Sequence, residues 1–509
     1  MAGLQAQTVS GSVYDANGEP LISVTVSVKG TTAGTMTDID GNFKLAAKSG
    51  ATILFKYLGY KDKEVKVTGA TLGRIVMDDS SSSLDEVVVV GYGTQRKRDV
   101  SGAISSVTAK WIEERNPLNV QEALQGAVAG MLVTAASGEP GTEASIAVRG
   151  ISTFENDYGP LYVVDGVIMN DISSINPNDI IRMEVVKDAA TASIYGARGG
   201  SGVVLITTKS GAEGKPKITV RYLNTYGTLA NKLPQLNREE REIFDNTVVS
   251  ASSKNQFQWF KSSNDTVNLQ ARTSNDYQEI ISRVAVRNDA TISMQTGTDK
   301  FSVYASLGVL DDKGIILTSY NTRYTGRLKS IYTLSPSVKF TTNVTAGYQV
   351  GNSINEGSTF YNAIRRPTQS ILYFPDGTLV NRYESNPSGK RNPLGELYDY
   401  ENITKKYSAL LNQIVEIKFA KYFTLNGSAS ANIVYSDNNT YSGPNIQAAS
   451  ADDLQKGVDK GTETVKFATD VLLESYLRYS RSFNRQHNLE VMAGLSTQQK
   501  ESVMPAQLT

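Results

Sequence analysis

The sequence predicts a mainly β protein in three parts: a small β-sandwich, a mixed α/β domain, and the first strands of a large antiparallel transmembrane β-barrel. Three observations carry this. Short alternating stretches punctuated by turn residues fill residues 8–78, the spacing of a small sandwich. Residues 95–212 mix one clear helical pattern with several short strands. From about residue 217 the strands lengthen, and tight turns alternate with long loops, as in outer-membrane barrels.

Composition narrows the function classes. The chain has 509 residues, and 51 Lys and Arg balance 51 Asp and Glu, so no excess charge points to nucleic acid. There is no cysteine and one histidine, His487, which excludes disulfides, thiolate sites and histidine-based metal centres or triads. No GxSxG or HExxH motif is present, so no catalytic, metal or cofactor role is expected. No apolar stretch reaches the roughly 18–20 residues of a transmembrane helix. The start, residues 1–7, reads as a signal-peptide remnant or a flexible terminus.

In the sandwich, 8–78, "TVSGSVYD", "VTVSVKG", "ATILFKYLGY", "EVKVTG" and "GRIVMD" supply the strands. Between them, "DIDGN" (Asp38 to Asn42) has its glycine at the fourth position. A calcium loop of the EF type wants it at the sixth, so a tight Asp-Gly turn is the better reading.

The linker, 79–94, holds four consecutive valines, Val87 to Val90, between the polar "DDSSSS" and the charged "TQRKRD". β-Branched residues favour a strand, yet neither flank offers a partner. The run reads as an exposed strand awaiting one.

In 95–212, "NPLNVQEALQGAVAGM" reads as a helix capped by Asn119, with Glu122 at the capping-box position. Val120, Leu124, Ala127, Val128 and Met131 share one face. "ASIAVRG", "PLYVVDGVIM", "RMEVVKD" and "SGVVLITTKSG" read as strands, with a hairpin turn at Asp165-Gly166. Asp188 is placed to cap a one-turn helix. The run Gly196 to Gly202 matches neither GxxxxGK[ST] nor GxGxxG and reads as a flexible turn.

In 213–509, nine strands are expected near 217–228, 284–296, 300–311, 316–332, 337–350, 406–419, 422–436, 464–481 and 487–498. Tight turns fall near Thr298, Ser335, Lys421 and Asn484, and long loops span about 229–283, 351–405 and 437–463. "SYNTRYTGRLKSIYTL" alternates cleanly, Tyr320, Thr322, Tyr324, Gly326, Leu328 and Tyr332 opposing Asn321, Arg323, Thr325, Arg327 and Lys329. Tyr320 and Tyr332 fit an interfacial girdle. Single-chain barrels use even strand counts and closure removes their edges, so the nine strands are expected to begin a longer barrel.

This order of parts resembles the SusC/RagA-type TonB-dependent outer-membrane transporters. "GEPLISVTVSVKGTTAGTMTDIDGNFKL" is similar to that family's carboxypeptidase-regulatory-like extension, and "LDEVVVVGYGTQRKRDVSGAISSV" to its lead into the plug domain. "VRGIST", "PLYVVDGV" and "NPNDIIRMEVVKDAATASIYGARGGSGVVLITTK" resemble its plug motifs. The resemblance implies a TonB box at Asp85, Glu86, Val87, Val88, Val89, Val90, Gly91 and Tyr92, which TonB would pair with as an added strand.

It also implies active import across the outer membrane, a barrel set in outer-membrane lipids, and a SusD-like surface lipoprotein as lid. Oligosaccharides are the expected solute and peptides the second. Aromatics in "QFQWF" (Gln256 to Phe260) and "YFPDGTLVNRY" (Tyr373 to Tyr383) could stack on sugar rings, but no substrate residue is assigned. The alternatives are a lidless siderophore- or cobalamin-type receptor, against which the front extension argues, and a surface adhesin, against which the plug motifs argue.

Overall fold

The computed structural model describes residues 7–15, 18–31, 33–57, 60, 62–77, 87–90, 93–96, 104–135, 137–148, 150, 159–169, 171–244, 247, 274–366, 368, 372–373, 377, 379, 392–444, 459–483 and 487–504. They fall into two compact units, Met1–Ser101 and Gly102–Thr509.

In the first unit, β1 (Gln7–Tyr14), β2 (Thr25–Val28), β3 (Gly34–Met36), β4 (Asn42–Ala47), β5 (Thr52–Lys56), β6 (Lys63–Lys66) and β7 (Thr71–Val76) form two sheets, ordered β4-β1-β7 and β3-β2-β5-β6. Alternation buries every second residue of β4, the period-two signature of a strand covered on one face. Phe43 and Phe55 meet edge-on at 5.3 Å in the core. Asp38 accepts from the N–H groups of Asp40 and Asn42 at 3.0 and 2.8 Å, so its carboxylate closes the turn. Gly41 has φ +77, and a Cβ there would lie 2.5 Å from the Val13 carbonyl oxygen. Beyond the sandwich, β8 (Val87–Val90) and β9 (Gly93–Arg96) form a two-stranded sheet.

The second unit opens with the α/β domain. Its elements are β10 (Ile104–Thr108), α1 (Ala109–Arg115), α2 (Val120–Ala123), β11 (Met131–Thr134), β12 (Ser145–Val148), β13 (Leu161–Val164), β14 (Val167–Met169), β15 (Ile180–Val186), α3 (Ala189–Ala192) and β16 (Val203–Thr208). A five-stranded sheet runs β10-β15-β16-β13-β14, with β11 and β12 paired separately. Val107, Met183, Val185, Val204 and Ile206 fill one core, and Leu161, Val163, Val186, Val203 and Leu205 the other, so the two faces of the sheet are both covered.

The helix read over "NPLNVQEALQGAVAGM" is shorter than expected. Asn119 accepts from the Glu122 N–H at 2.8 Å, and Glu122 reaches back to the Leu118 N–H at 2.9 Å, but the helix ends at Ala123. Gly126 and Gly130 take φ of +70 and +77, left-handed values that interrupt a helix. The glycine-rich run after α3 is a 3₁₀ segment, Ser193–Ser201, kinked at Gly196.

The barrel strands are β17 (Gly214–Gly227), β18 (Ala285–Gly297), β19 (Phe301–Lys313), β20 (Tyr320–Ser335), β21 (Val338–Asn352), β22 (Tyr400–Phe419), β23 (Phe423–Ser442), β24 (Lys460–Phe483) and β25 (His487–Val503). They pair in sequence order as one nine-stranded sheet, antiparallel at every step. On the outer face Tyr324, Tyr348, Tyr407, Tyr435 and Phe467 lie directly opposite one another on successive strands. The tyrosine ring centroids are 6.1, 4.7 and 6.0 Å apart. A second aromatic group, Phe301, Tyr332, Phe340, Phe419, Phe423 and Tyr479, lies toward the tight turns. From Tyr324 to Tyr332 is roughly 26 Å of strand before tilt, comparable to the apolar band of about 25 Å that such barrels present.

The long connections carry helices that alternation analysis does not foresee: α4 (Arg238–Phe244), α5 (Tyr277–Ile280), α6 (Glu356–Arg365) and α7 (Pro393–Tyr398). Tyr277, Ile281, Ile316, Ile354, Ala363 and Leu397 give this layer its own small core.

Candidate functional site

Strand alternation puts Asn321, Arg323, Thr325, Arg327 and Lys329 on the inner face of β20. Each meets the α/β domain. A Cβ on Gly141 would lie 2.9 Å from Asn321 Cγ. Arg323 donates to the carbonyls of Leu118 and Ser173 at 3.0 and 3.4 Å. Thr325 accepts from Asn176 Nδ2 at 3.4 Å. Arg327 donates to Asp165 Oδ2, and Lys329 to Asp165 Oδ1 at 3.0 Å.

Asp165 owes its position to the hairpin between β13 and β14. Asp165 and Gly166 have φ of +47 and +89, the positive pair that a two-residue I′ turn requires. The carboxylate also accepts from the Thr208 N–H at 3.1 Å. Burial pushes its pKa up, but Lys329 and Arg327 outweigh burial and hold it below the usual carboxylate range. Asp179 is the contrasting case. Tyr304 and Ser306 of β19 donate to it at 2.8 and 2.9 Å, with no cation in contact among the described residues. Burial raises Asp179 above the usual range, and the hydroxyls with more distant Arg327 and Lys209 offset that only in part.

On the long-loop side of both anchors lies an uncharged shelf. Thr291, Gly308, Thr325, Gly347 and Ser408 oppose one another on β18 to β22. Asn176 bridges Gly308, donating to Thr291 Oγ1 at 3.4 Å as well as to Thr325. A Cβ on Gly308 would come within 2.4 Å of Asn176 Nδ2, and one on Gly347 within 3.1 Å of Ser174 Cβ. Glycine is what allows this approach. Asp171 pairs with Lys406 of β22 at one end of the shelf, and Asn178 with Thr291 and Arg221 at the other.

Toward the long loops, a polar cavity of about 190 Å³ opens between the domain and the wall, lined by Glu122, Glu139, Glu143, Arg287, Arg323 and Gln349. Arg287 and Asp312, directly opposite on β18 and β19, form a two-point ion pair in its wall-side lining at 3.0 and 3.2 Å. Burial, with Asp171 nearby, raises the Glu143 pKa despite Lys406 and Arg323.

Of the residues expected to bind a partner, Val87–Val90 form β8 and pair with β9, Val87 opposite Arg96 and Val90 opposite Gly93. The other edge of β8 has no strand partner among the described residues. Asp85, Glu86, Gly91 and Tyr92 lie outside the described residues, as do Gln256 to Phe260 and most of Tyr373 to Tyr383. The wall contacts of Asp165, Asn176 and Asp179 were not anticipated. A signal for one side of them existed: three cations, Arg323, Arg327 and Lys329, alternate along one face of a strand whose other face is tyrosine and leucine.

Residues 9–89 match the CarboxypepD_reg-like domain and residues 96–203 the TonB-dependent Receptor Plug Domain. TonB-dependent receptor P39 of Formosa agariphila is 34% identical over 499 residues, covering 97% of this chain and 46% of that protein. TonB-dependent receptor SusC of Bacteroides thetaiotaomicron is 33% identical over 430 residues, covering 77% of this chain and 41% of that one. The chain thus spans about half the length of the curated relatives it matches. Among solved structures, the RagAB peptide importer in its "open-open" state superposes with a TM-score of 0.70 at 23% identity, over 83% of this chain and 53% of that one. At that identity the likeness speaks for the fold.

Proposed function

We propose that the chain, a relative of the SusC/RagA-type TonB-dependent receptors matched over about half their length, forms the gated front of a nutrient importer of the outer membrane. The observation that carries the reading is the docking of the plug. A folded α/β domain is held against the inner face of a barrel wall by side-chain hydrogen bonds and ion pairs spread from Asn176 to Asp165. Such contacts can be exchanged for water one at a time, whereas a continuous apolar interface would resist parting.

In this reading Asp85 to Tyr92 is the TonB box, and TonB adds a strand to it. Backbone bonds supply the affinity in that mode of recognition, and the edge of β8 away from β9 has no strand partner among the described residues. Force on the box is delivered through residues 97–103 to β10, an outer strand of the plug sheet. A SusD-like lipoprotein covers the long-loop side, and the polar cavity there receives the solute. Oligosaccharides are the solute class we favour, with peptides second; the chain itself carries out no covalent chemistry.

Affinity purification of the full-length protein from gently solubilised outer membranes tests this. Stoichiometric recovery of a surface lipoprotein, with active uptake abolished by deleting residues 85–92, is the expected result. Recovery alone with TonB binding retained would favour a lidless siderophore-type receptor. Absence from the outer membrane would contradict the importer altogether.

A further inference from the structure

One row of inward residues crosses the wall nearer the tight turns than the shelf. It runs Tyr304, Lys329, Asn343, Asn412, Ser430 and Leu472, each directly opposite the next on β19 to β24. On β19 and β20 the row is committed to the plug, Tyr304 to Asp179 and Lys329 to Asp165. On β21 to β23 it is not. Both amide atoms of Asn343, the Oδ1 of Asn412 and the Nδ2 of Asn426, further down β23, are buried without a hydrogen-bond partner among the described residues. These residues are only 2%, 3% and 5% exposed.

Burying an amide without partners is penalised, and native structures rarely tolerate it. A wall built only to seal would carry aliphatic residues here, and at neighbouring positions it does. Leu410, two residues from Asn412 on the same face of β22, is buried in the plug's own core, and Leu472 ends the row at 5% exposure. Polar residues are common on this wall, but most of those described above have partners; these amides are set apart by burial with atoms unpaired. Unsatisfied groups of this kind are a stability sacrifice that proteins make at functional sites.

We propose that Asn343, Asn412, Ser430 and Asn426 line the exit path of the solute, and that the plug parts from the wall along β21 to β23, releasing Asp171 and Ser173 from Lys406 of β22, while remaining bonded to β19 and β20. This rests on the importer reading above. Amides and hydroxyls both donate and accept; Lys329, opposite Asn343, is engaged by Asp165, and Glu416, opposite Asn426, is paired with Lys418 at 3.4 Å. The strip suits a neutral, hydroxyl-rich solute, whose hydroxyl groups have the same dual character.

The absence of cysteine from these 509 residues means that each introduced thiol is unique within this part of the protein. Single variants Asn343→Cys and Asn412→Cys, and Ser306→Cys on the committed side, are made in the full-length protein and labelled in cells with a small hydrophilic maleimide. A parallel Val88→Cys variant reports, by cross-linking to a periplasmic partner, whether the box is engaged. Energising the cells is expected to raise labelling several-fold at Asn343→Cys and Asn412→Cys and to leave Ser306→Cys unchanged. An equal rise on both sides means the plug leaves as a unit, and overturns the path. So does engagement of Val88→Cys with no rise at either asparagine, which leaves the importer reading intact. Failure of Val88→Cys to engage removes the importer reading and this proposal with it.

Two further measurements bear on the strip itself. The double variant Asn343→Leu, Asn412→Leu is expected to keep or raise the thermal midpoint, because no bond is lost; a fall would mark both amides as structural and count against the proposal. A pool of neutral oligosaccharides is expected to slow labelling at Asn412→Cys. Protection by an anionic peptide pool instead would overturn the solute class.

Discussion

The inner wall treats the two parts of a single row in opposite ways. On β19 and β20, Tyr304 and Lys329 are spent on plug aspartates; on β21 to β23, Asn343 and Asn412 are equally buried yet keep amide atoms unpaired. Burial is common to both and so explains neither. The difference is complementarity, and it teaches that along this row the plug is docked on one flank and merely covered on the other, where its polar hold is the contact of Asp171 and Ser173 with Lys406 nearer the long loops. Within the docked flank a second contrast applies: Asp165 faces two cations and Asp179 two hydroxyls, so equal burial leaves one carboxyl lowered and the other raised.

The largest effect is expected from Asp165→Asn, which leaves Arg327 and Lys329 buried without their carboxylate. Breaking a buried ion pair from one side costs about 3–5 kcal/mol, and the thermal midpoint should fall accordingly, with increased leakage of large hydrophilic antibiotics. Tolerance of this change would erase the distinction between docked and covered flanks. Gly308→Val should come next. Its side chain must enter the space of Asn176, and overpacking of that kind costs about 1–3 kcal/mol, read in the same two assays.

Tyr348→Ala serves as a control on the outer face. It removes ring contacts with Tyr324 and Tyr407, each worth about 0.5–1.5 kcal/mol, and should lower the midpoint without raising leakage. Leakage there would mean that the plug senses the outer face and that the inner row is not its main hold.

The smallest effect concerns pH and separates the two aspartates. Because Asp165 is lowered in the folded state, its contribution is present above the ordinary aspartate value of about 3.9 and is lost as pH falls through its folded value. Asp179 is raised, so its ionisation works against folding as pH climbs from about 3.9 through its folded value. Asp179→Asn should therefore change the neutral-pH midpoint by no more than about 1 kcal/mol and flatten its decline between those values. Asp165→Asn should instead abolish the acid-side loss. A matching pH profile for both variants would contradict the assignment.

Much of this architecture was legible before any coordinates. Strand β21 was expected at 337–350 and occupies Val338–Asn352, since the apolar alternation of its outer face marks nearly its whole length. The largest misses, on β22 and β23, have a physical cause. β22 starts at Tyr400 rather than 406, and β23 runs to Ser442 rather than 436. Apart from Tyr400, Ile403 and Tyr441 those extra residues are polar on both faces, so they carry little period-two signal. They pair all the same, Asn438 donating to Asn402 and Thr404 at 2.7 Å.

The site was less legible. The inward cations of β20 could be read, but their partner Asp165 looked like turn chemistry alone, because its other role depends on a wall more than 150 residues away. The shelf is harder still. Thr291, Gly308, Thr325, Gly347 and Ser408 sit on five different strands, and only the pairing register makes them neighbours. Unpaired amides leave no local trace at all, since an asparagine that has a partner and one that lacks it are the same letter.

The most direct test of the central claim is to pin the docked flank and ask whether the covered one still opens. An ideal Cβ on Gly308 of β19 lies 2.4 Å from Asn176 Nδ2, within reach of a disulfide whose Cβ atoms stand roughly 3.5–4.5 Å apart, so Asn176→Cys with Gly308→Cys can bond the plug to the docked flank at the shelf. The measurement is maleimide labelling of Asn412→Cys in energised cells after that bond has formed. The account predicts that labelling persists. Loss of labelling, restored by a reductant, would show that the plug must leave the shelf before anything can pass.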